Sequence, residues 1–256
     1  MVQEYVKYER NENINRLIMN RPDSMNALSV DIIEGLEEGL RSIAADEGAR
    51  VVVIEGAGGN FSSGADMNWL NIQSGSPEVY EAVRRMNEMV LTIRRFRLPV
   101  ITKVRGVAVG AGANLALTGD FVLASHDSRF IQPFVNLGAV LDGGGTYYLP
   151  RLVGRAKAME LALLGEPIDG RTAESVGLIY KSVPDQELDD AVVSLAGTLS
   201  KKPPKAVALI KEGLESSLDM SLAEALEWEA SHQSIRLQTE EHKEAVRSFL
   251  KSRGKI

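Results

Sequence analysis

The first half of the chain alternates short apolar runs with longer segments of helical spacing. Apolar runs occupy residues 14–19, 51–54, 100–104 and 121–124. The first run ends before Pro22, where proline stops a strand, and the later runs are continuously apolar, as expected of strands buried on both faces. The runs therefore predict the strands of a largely buried sheet.

Two amphipathic segments separate these predicted strands. Ser29 or Asp31 can cap a first helix, whose apolar positions recur every three or four residues. A second helix is predicted over residues 77–95, with one apolar side made of Val79, Val83, Met86, Val90 and Ile93. Strand, helix and strand in succession predict an α/β fold with a mainly parallel sheet and crossover connections.

The end of the chain carries only helical patterns. Ser221, with Glu224 three residues later, forms a capping-box pattern, and the helix that it starts is predicted to continue to Phe249. We therefore divide the chain into a core domain at 1–200 and a C-terminal helical region at 201–256.

Composition and charge exclude several functional classes. The 256 residues include 29 basic and 35 acidic ones, for a net charge of -6, and no basic stripe indicates nucleic-acid binding. Without cysteine there is no disulfide or thiolate chemistry, and the spacing of His126, His232 and His242 does not suit a metal site. We find neither a signal peptide nor an apolar stretch of about 18 residues, so we expect a cytoplasmic protein without a metal.

Two segments rich in small residues follow predicted strands and are the best candidates for chemistry. They cover residues 61–67 and 106–117. Small residues let a ligand approach the backbone, and unpaired N–H groups at a helix start attract an anion or oxyanion. The competing interpretation is tight packing alone. Neither segment matches a Walker phosphate loop or a dinucleotide fingerprint.

Four motifs taken together resemble the enoyl-CoA hydratase/isomerase (crotonase) superfamily. They are Asn20-Arg21-Pro22 with Asn26-Ala27-Leu28, Phe61-Ser62-Ser63-Gly64-Ala65-Asp66, the segment from Gly106 to Leu117 with Asp120, and Gly143-Gly144-Gly145-Thr146 with Leu149-Pro150-Arg151. The resemblance covers essentially the whole chain in order. It implies the crotonase fold, in which a core of ββα repeats precedes C-terminal helices that build trimers, often paired into hexamers.

The resemblance also implies chemistry on acyl-CoA thioesters. Members of the superfamily stabilise a thioester enolate with two backbone N–H groups, which the motifs place at Ala65 and Ala111. Many relatives have glycine at the position of Ala111, and alanine keeps the N–H provided that its φ is negative. Losing one such donor in a comparable site costs ~3 kcal/mol. Coenzyme A then belongs to the substrate, and we expect no separate cofactor.

Two positions depart from the pattern of the superfamily's hydratases. Those enzymes position and activate water with two glutamates, and the corresponding residues here are Asn114 and Phe134. Neither side chain takes a proton near neutral pH, so efficient hydration by the two-glutamate mechanism is not expected.

Asp142 is the candidate acid–base residue. The run Leu141-Asp142-Gly143-Gly144-Gly145-Thr146 resembles a motif of isomerase branches, in which the aspartate moves a proton along the acyl chain. The nearest branch is the ring-epoxide phenylacetyl-CoA isomerase type of phenylacetate degradation. The alternative is that Asp142 caps a helix starting at Gly143, which would lower its pKa and occupy the carboxylate.

Further residues are expected to bind the thioester. Met25, Asn26 and Ala27 match a loop that meets CoA in relatives, although a plain loop before a helix is the alternative. The other predicted contacts are Ser63, Gly64, Asp66, Met67, Gly110, Asn114 and Phe134. Asp66 is also expected to cap a helix. Residues that either line an acyl pocket or form core are Met67, Trp69, Leu70, Phe130, Phe134, Tyr147 and Tyr148.

The sequence is compatible with three functions. The first is an enoyl-CoA isomerase that uses Asp142, and the second is an enoyl-CoA hydratase of low activity with Asp142 as its lone acid. The third is a non-catalytic acyl-CoA-binding protein that keeps the oxyanion hole. We expect an acyl-CoA thioester as the ligand, a homotrimer or homohexamer as the assembly, and neither nucleic acid nor membrane as a partner.

Overall fold

The structure is a computed structural model that describes residues 4–67 and 76–253. Over these residues the chain forms two compact units, each with its own packing. One unit comprises the chain up to Phe96 together with Val100–Ser200, and the other comprises Arg97–Pro99 and the chain from Lys201 onward.

The first unit contains two sheets. Their strands are β1 (Val6–Asn11), β2 (Ile14–Met19), β3 (Val51–Gly56), β4 (Val100–Val104), β5 (Val107–Val109), β6 (Phe121–Ser125), β7 (Arg129–Ile131), β8 (Ile168–Asp169) and β9 (Lys181–Val183). The larger sheet has the order β1-β2-β3-β4-β6-β9, and every pair except β1 with β2 is parallel. The smaller sheet has the order β5-β7-β8. The predicted α/β fold with a mainly parallel sheet is confirmed.

Helices surround these sheets. Those described in the first unit are α1 (Val30–Ala45), α2 (Ser76–Arg94), α3 (Ala111–Ala116), α4 (Gly145–Leu164), α5 (Gly170–Ser175) and α6 (Leu188–Ser200). Ser29 caps α1, because its hydroxyl accepts a hydrogen bond from the N–H of Ile32 at 3.4 Å. The alternative cap, Asp31, lies inside the helix instead.

The core of the first unit lies where strands are covered on both faces. All residues of β4 are buried, and β3 is buried except for its last residue. The helix α6 packs Leu188, Val192 and Ala196 against the side chains of Val51 and Val53. β1 was missed by the sequence analysis, because five of its six side chains are exposed and leave no apolar pattern.

The second unit contains three described helices, α7 (Pro204–Ser216), α8 (Leu222–Arg236) and α9 (Glu240–Ser252). The capping box of Ser221 and Glu224 is present at the start of α8. The prediction that this helix continues to Phe249 is wrong. Thr239 adopts an extended backbone and its hydroxyl accepts from the N–H of His242 at 3.3 Å, which ends one helix and caps the next.

Apolar side chains of this second unit remain uncovered. Leu222, Leu214 and Ile235 are 76%, 69% and 66% exposed. The unit also contains a largely apolar cavity of about 580 Å³, whose lining includes Leu209 and Trp228. Within the described ranges, no helix is both long and apolar enough to cross a membrane.

Candidate active site

The loop that leads into α1 is held from within by Asn26. Its side-chain oxygen accepts from the N–H of Arg21 at 2.9 Å, and its side-chain nitrogen donates to the carbonyls of Ala57 and Asn60 at 2.9 and 2.8 Å. Asn26 is fully buried and adopts a φ of 55°. Its side chain therefore shapes the loop, whereas the neighbouring Met25 is exposed. A contact between this loop and CoA stays a prediction.

The segment after β3 leaves one backbone N–H unpaired. The N–H groups of Ser63 and Gly64 donate hydrogen bonds at 2.9 and 3.1 Å to neighbouring oxygens, and that of Asp66 donates at 2.9 Å. The N–H of Ala65 lies between these along the chain and has no hydrogen-bond partner within residues 4–67 and 76–253. Ala65 is also only partly buried, so this segment is open to solvent.

A second unpaired N–H opens α3. Gly110 donates its own N–H to the carbonyl of Ile131 at 2.8 Å, and its φ of 51° is one that glycine adopts readily. Ala111 is the first residue of the helix, so its N–H has no intrahelical partner, and the described residues offer no other. Its φ is negative, which meets the condition for alanine at this position.

The two unpaired donors lie at one junction of the fold. A methyl group built on Gly64 would lie 3.9 Å from the nitrogen of Ala111 and 2.8 Å from the carbonyl oxygen of Val109. A β-bridge between Ser62 and Ala108 joins the same two segments. Glycine is needed at position 64, because its φ is 96° and a side chain would collide with the facing backbone.

Arg21 joins the two loops at this junction and was given no role in the sequence analysis. Its guanidinium donates to Asp66 at 2.8 Å and to the carbonyl of Ala27 at 3.0 Å. The motif Asn20-Arg21-Pro22 was the signal that could have pointed to it. The predicted helix capped by Asp66 falls mostly on residues outside the described ranges, as do Trp69 and Leu70.

Asp142 precedes a turn made of glycines. Gly143 and Gly144 have φ values of 52° and 88°, and α4 begins only at Gly145. The cap of α4 is Gly144, and no side chain caps the helix. Asp142 is therefore not a helix cap, and the alternative interpretation of this residue is wrong.

The side chain of Asp142 is left free. Its backbone carbonyl accepts hydrogen bonds from the N–H of Gly145 at 2.9 Å and from the side-chain amide of Asn114 at 2.8 Å. Its carboxylate oxygen Oδ1 is buried without a hydrogen-bond partner among the described residues. Burial raises the pKa of Asp142 to about 6. A carboxyl with this pKa is able to exchange protons near neutral pH.

Asn114 and Phe134, at the positions of the two hydratase glutamates, are both buried. The amide of Asn114 donates to Asp142 and accepts from the side chain of Gln132 at 2.9 Å. Both ends of the Asn114 side chain are thus engaged within the protein, which leaves its predicted contact with the thioester without support. The ring of Phe134 lies 3.4 Å from a methyl group built on Gly110.

The remaining aromatic candidates divide between core and surface. Phe130 is 3% exposed and belongs to the core. The rings of Tyr147 and Tyr148 meet edge to face at 5.5 Å, and Tyr148 is the buried member of the pair. Met67 is 52% exposed. The described part of the chain contains no group of three or more His, Asp or Glu that could hold a metal.

Comparisons with known proteins cover nearly the whole chain. The family model for enoyl-CoA hydratase/isomerase matches residues 9–255. The chain belongs to this family. A 1,2-epoxyphenylacetyl-CoA isomerase from Escherichia coli is 34% identical over 98% of this chain and 97% of that protein. A protein named "Probable enoyl-CoA hydratase" from Rhodobacter capsulatus is 35% identical over 97% of this chain and 95% of that protein.

Solved structures of the enoyl-CoA hydratase/isomerase family share the fold. An enoyl-CoA hydratase from Mycobacterium smegmatis superposes with a TM-score of 0.93 at 28% identity, over 98% of this chain and 97% of the other. The chain thus has the crotonase fold and is an acyl-CoA enzyme of the family. Some relatives are named isomerases and others hydratases. Their names therefore do not identify the reaction of this chain, which has to be inferred from the residues of its site.

Proposed function

We propose that this chain is an enoyl-CoA isomerase that shifts a double bond along the acyl chain of a CoA thioester. The observation that carries the proposal is the free, partly buried carboxyl group of Asp142. It belongs to the turn that contacts the start of α3, where a methyl group built on Gly143 would lie 3.8 Å from the Cα of Ala111.

The proposed reaction needs one base and one oxyanion site. With a 3-enoyl thioester, ionised Asp142 removes a proton from the α-carbon, and the electron pair moves into the thioester carbonyl. The resulting dienolate oxygen accepts hydrogen bonds from the N–H groups of Ala65 and Ala111. Protonated Asp142 then returns the proton to the γ-carbon. The double bond moves next to the carbonyl, and no atom is gained or lost.

The residues in place of the hydratase glutamates favour this reaction over hydration. Asn114 and Phe134 cannot act as acid or base, and the Asn114 amide is engaged within the protein. Phe134 is buried beside Gly110, where an apolar ring disfavours an ordered water. A drier site also strengthens hydrogen bonds to the oxyanion.

A panel of thioesters tests the proposal. The protein should convert a 3-enoyl-CoA into its 2-enoyl isomer, with a change in ultraviolet absorbance and no change in mass. Because the E. coli relative is named a 1,2-epoxyphenylacetyl-CoA isomerase, a ring-epoxide thioester belongs in the panel. A product heavier by one water would favour the hydratase. Tight binding without any conversion would favour a non-catalytic acyl-CoA-binding protein.

We also propose that the active form is a homotrimer or homohexamer. The uncovered apolar side chains of the C-terminal unit support this proposal, because a surface of that kind is commonly covered by another protein chain.

A further inference from the structure

Two side-chain amides form consecutive hydrogen bonds that end at the backbone carbonyl of Asp142. Gln132 donates from its amide nitrogen to the side-chain oxygen of Asn114 at 2.9 Å. Asn114 donates from its own amide nitrogen to the carbonyl of Asp142 at 2.8 Å. Asn114 is fully buried and Gln132 is 5% exposed, so water has little access to these bonds.

The carbonyl of Asp142 fixes the direction of both amides. A carbonyl oxygen only accepts hydrogen bonds, so Asn114 must present its nitrogen to Asp142 and its oxygen to Gln132. Gln132 must then present its nitrogen to Asn114. This order leaves Oε1 of Gln132 buried without a partner among the described residues. Flipping either amide would bring two acceptors together.

The glycine turn packs directly on Asn114. A methyl group built on Gly145 would lie 2.7 Å from the Asn114 nitrogen, and one built on Gly143 would lie 3.4 Å from its Cβ. Asn114 sits one helical turn beyond Ala111 on α3. The same short helix therefore presents one N–H of the proposed oxyanion site and anchors the segment that carries the proposed base.

We propose that Asn114, supported by Gln132, is a positioning residue that holds the Asp142 carboxyl in register with the Ala111 N–H. This inference rests on the proposed function and adds a role that Asn114 would fill without touching the substrate. The anchor acts on the backbone of Asp142, so it fixes the position of this residue without occupying either carboxylate oxygen. A displacement of about 1 Å at such a base lowers the rate substantially.

The surroundings of Asp142 make its titration a sensitive readout of this anchor. The side chains nearest to Gly143 and Gly144 carry no charge at neutral pH, and they are Asn114, Met86, Val90 and Tyr148. Arg94 lies 5.9 Å from the centre of the Tyr148 ring and is not among the causes of the shift. Burial alone raises the pKa of Asp142, so any change that lets water reach the carboxyl should lower it.

The test compares Asn114→Ala and Gln132→Leu with Asn15→Ala. Asn15 is equally buried, and its amide interacts with Tyr8 and with the carbonyl of Val51, away from the glycine turn. We expect Asn114→Ala to lower kcat by about tenfold or more while the Kd of a CoA thioester changes by less than about threefold. Gln132→Leu should act in the same direction and more weakly. The Asn15 variant should keep both values.

Titration of the Asp142 carboxyl by NMR, with isotope-labelled aspartate, provides a second readout that does not depend on turnover. Asn114→Ala should lower the Asp142 pKa by about one unit, towards that of a solvated carboxyl, and Asn15→Ala should leave it unchanged. If the wild type isomerises no thioester but the titration shifts, the proposed function fails and the anchor stands. If the wild type isomerises and the titration does not shift, the anchor is wrong.

Two further outcomes would overturn the inference. A loss confined to thioester affinity, with kcat unchanged, would mean that Asn114 contacts the substrate directly. An equal loss of kcat in the Asn15 variant would show that the lower kcat comes from general destabilisation of the fold and not from loss of the anchor. Should Asn114→Ala fail to fold, the nearly isosteric Asn114→Leu removes the donor to the Asp142 carbonyl without adding a charge or a new donor. This variant should also lower kcat by about tenfold while the Kd of a CoA thioester changes little, and an unchanged kcat would contradict the anchor.

Discussion

The free carboxyl group of Asp142 depends on how its backbone is held. An aspartate that caps a helix accepts hydrogen bonds with its side chain, which lowers its pKa and occupies the oxygens. Here the helix begins three residues later, at Gly145. The backbone carbonyl of Asp142, rather than its side chain, accepts hydrogen bonds from Gly145 and Asn114. The side chain is consequently available for proton transfer, with a pKa of about 6.

Replacing Asp142 by asparagine should separate binding from chemistry. Asp142→Asn keeps the shape of the side chain and removes its basicity, so we expect kcat to fall by ~100-fold to ~10,000-fold. The Kd of a CoA thioester should stay nearly unchanged, because the donors at Ala65 and Ala111 are untouched. In the wild type, kcat/KM should fall as the pH drops through about 6, where the base becomes protonated. A variant that isomerises at the wild-type rate would contradict the mechanism.

The same variant should gain stability above pH 6. A carboxyl whose folded pKa exceeds the ordinary value of 3.8 favours the protonated native state, so its ionisation destabilises the fold as the pH rises through about 6. Asp142→Asn removes that cost and should raise the free energy of unfolding by about 1–3 kcal/mol at neutral pH. The gain should vanish below the unfolded pKa. Urea unfolding of both proteins at several pH values measures the difference.

The N–H of Ala111 can be deleted at small structural cost. Ala111 is the first residue of α3, a position that tolerates proline because its N–H has no helical partner. We expect Ala111→Pro to lower kcat/KM by about 100-fold or more, the effect of losing one oxyanion donor. Glu240→Pro is the matched control, since it changes the first residue of α9 in the other unit. Activity near the wild-type value in Ala111→Pro would exclude this N–H from catalysis.

Neighbouring strands are also joined by a network of buried and partly buried charges. Lys103 on β4 pairs with Glu55 on β3, and also lies 2.5 Å from Asp189 on α6. Glu55 accepts a further hydrogen bond from Arg16 on β2 at 2.8 Å. Both Lys103 and Glu55 are almost completely buried. The network therefore links three strands and one helix in a region with little water.

Removing the central lysine should destabilise the first unit. Lys103→Met keeps the length of the side chain but leaves Glu55 and Asp189 without their shared partner, so we expect a loss of about 3 kcal/mol in the free energy of unfolding. Lys157→Met is the control, because Lys157 pairs with Glu160 on an exposed helix face and should cost less than about 1 kcal/mol. If urea unfolding gives the same loss in the free energy of unfolding for both substitutions, the buried ion pairs stabilise the fold no more than an exposed one.

At the scale of the whole molecule, the described C-terminal unit leaves apolar surface uncovered in a single copy of the chain. In the C-terminal unit, α7 and α8 have no buried residues, and large apolar side chains along them are exposed. Helices gain little stability by themselves, since most of it comes from packing of an apolar face. We therefore expect this unit to pack against another copy of the chain.

The assembly can be measured directly. Light scattering at micromolar concentration should give a mass of three or six chains. Leu214 is 69% exposed on α7, and Leu214→Glu should shift the population towards smaller species because it places a charge on the proposed interface. A stable wild-type monomer at the same concentration would rule out the assembly.

Local sequence patterns were sufficient for much of the fold. Continuous apolar runs predicted β3 and β4, because a strand buried on both faces has no polar side. Periodic apolar positions predicted α2 as residues 77–95, and it is observed as Ser76–Arg94. The same reasoning wrongly predicted α8 and α9 as one helix. The second helix starts at a cap made by the Thr239 hydroxyl, which accepts one N–H.

The sequence by itself determined the family, the strands β2, β3, β4 and β6, the helices α1 and α2, and the identity of Asp142 as the candidate acid. The strands and helices follow from residue types and their spacing, whereas the role of Asp142 follows from the resemblance of its motif to that of the family's isomerases. Only the tertiary structure decided that Asp142 is no helix cap and that Gln132 and Asn114 lead to its backbone. Those contacts join residues 18 and 28 positions apart, and a buried amide takes its direction from the acceptor that it meets in space.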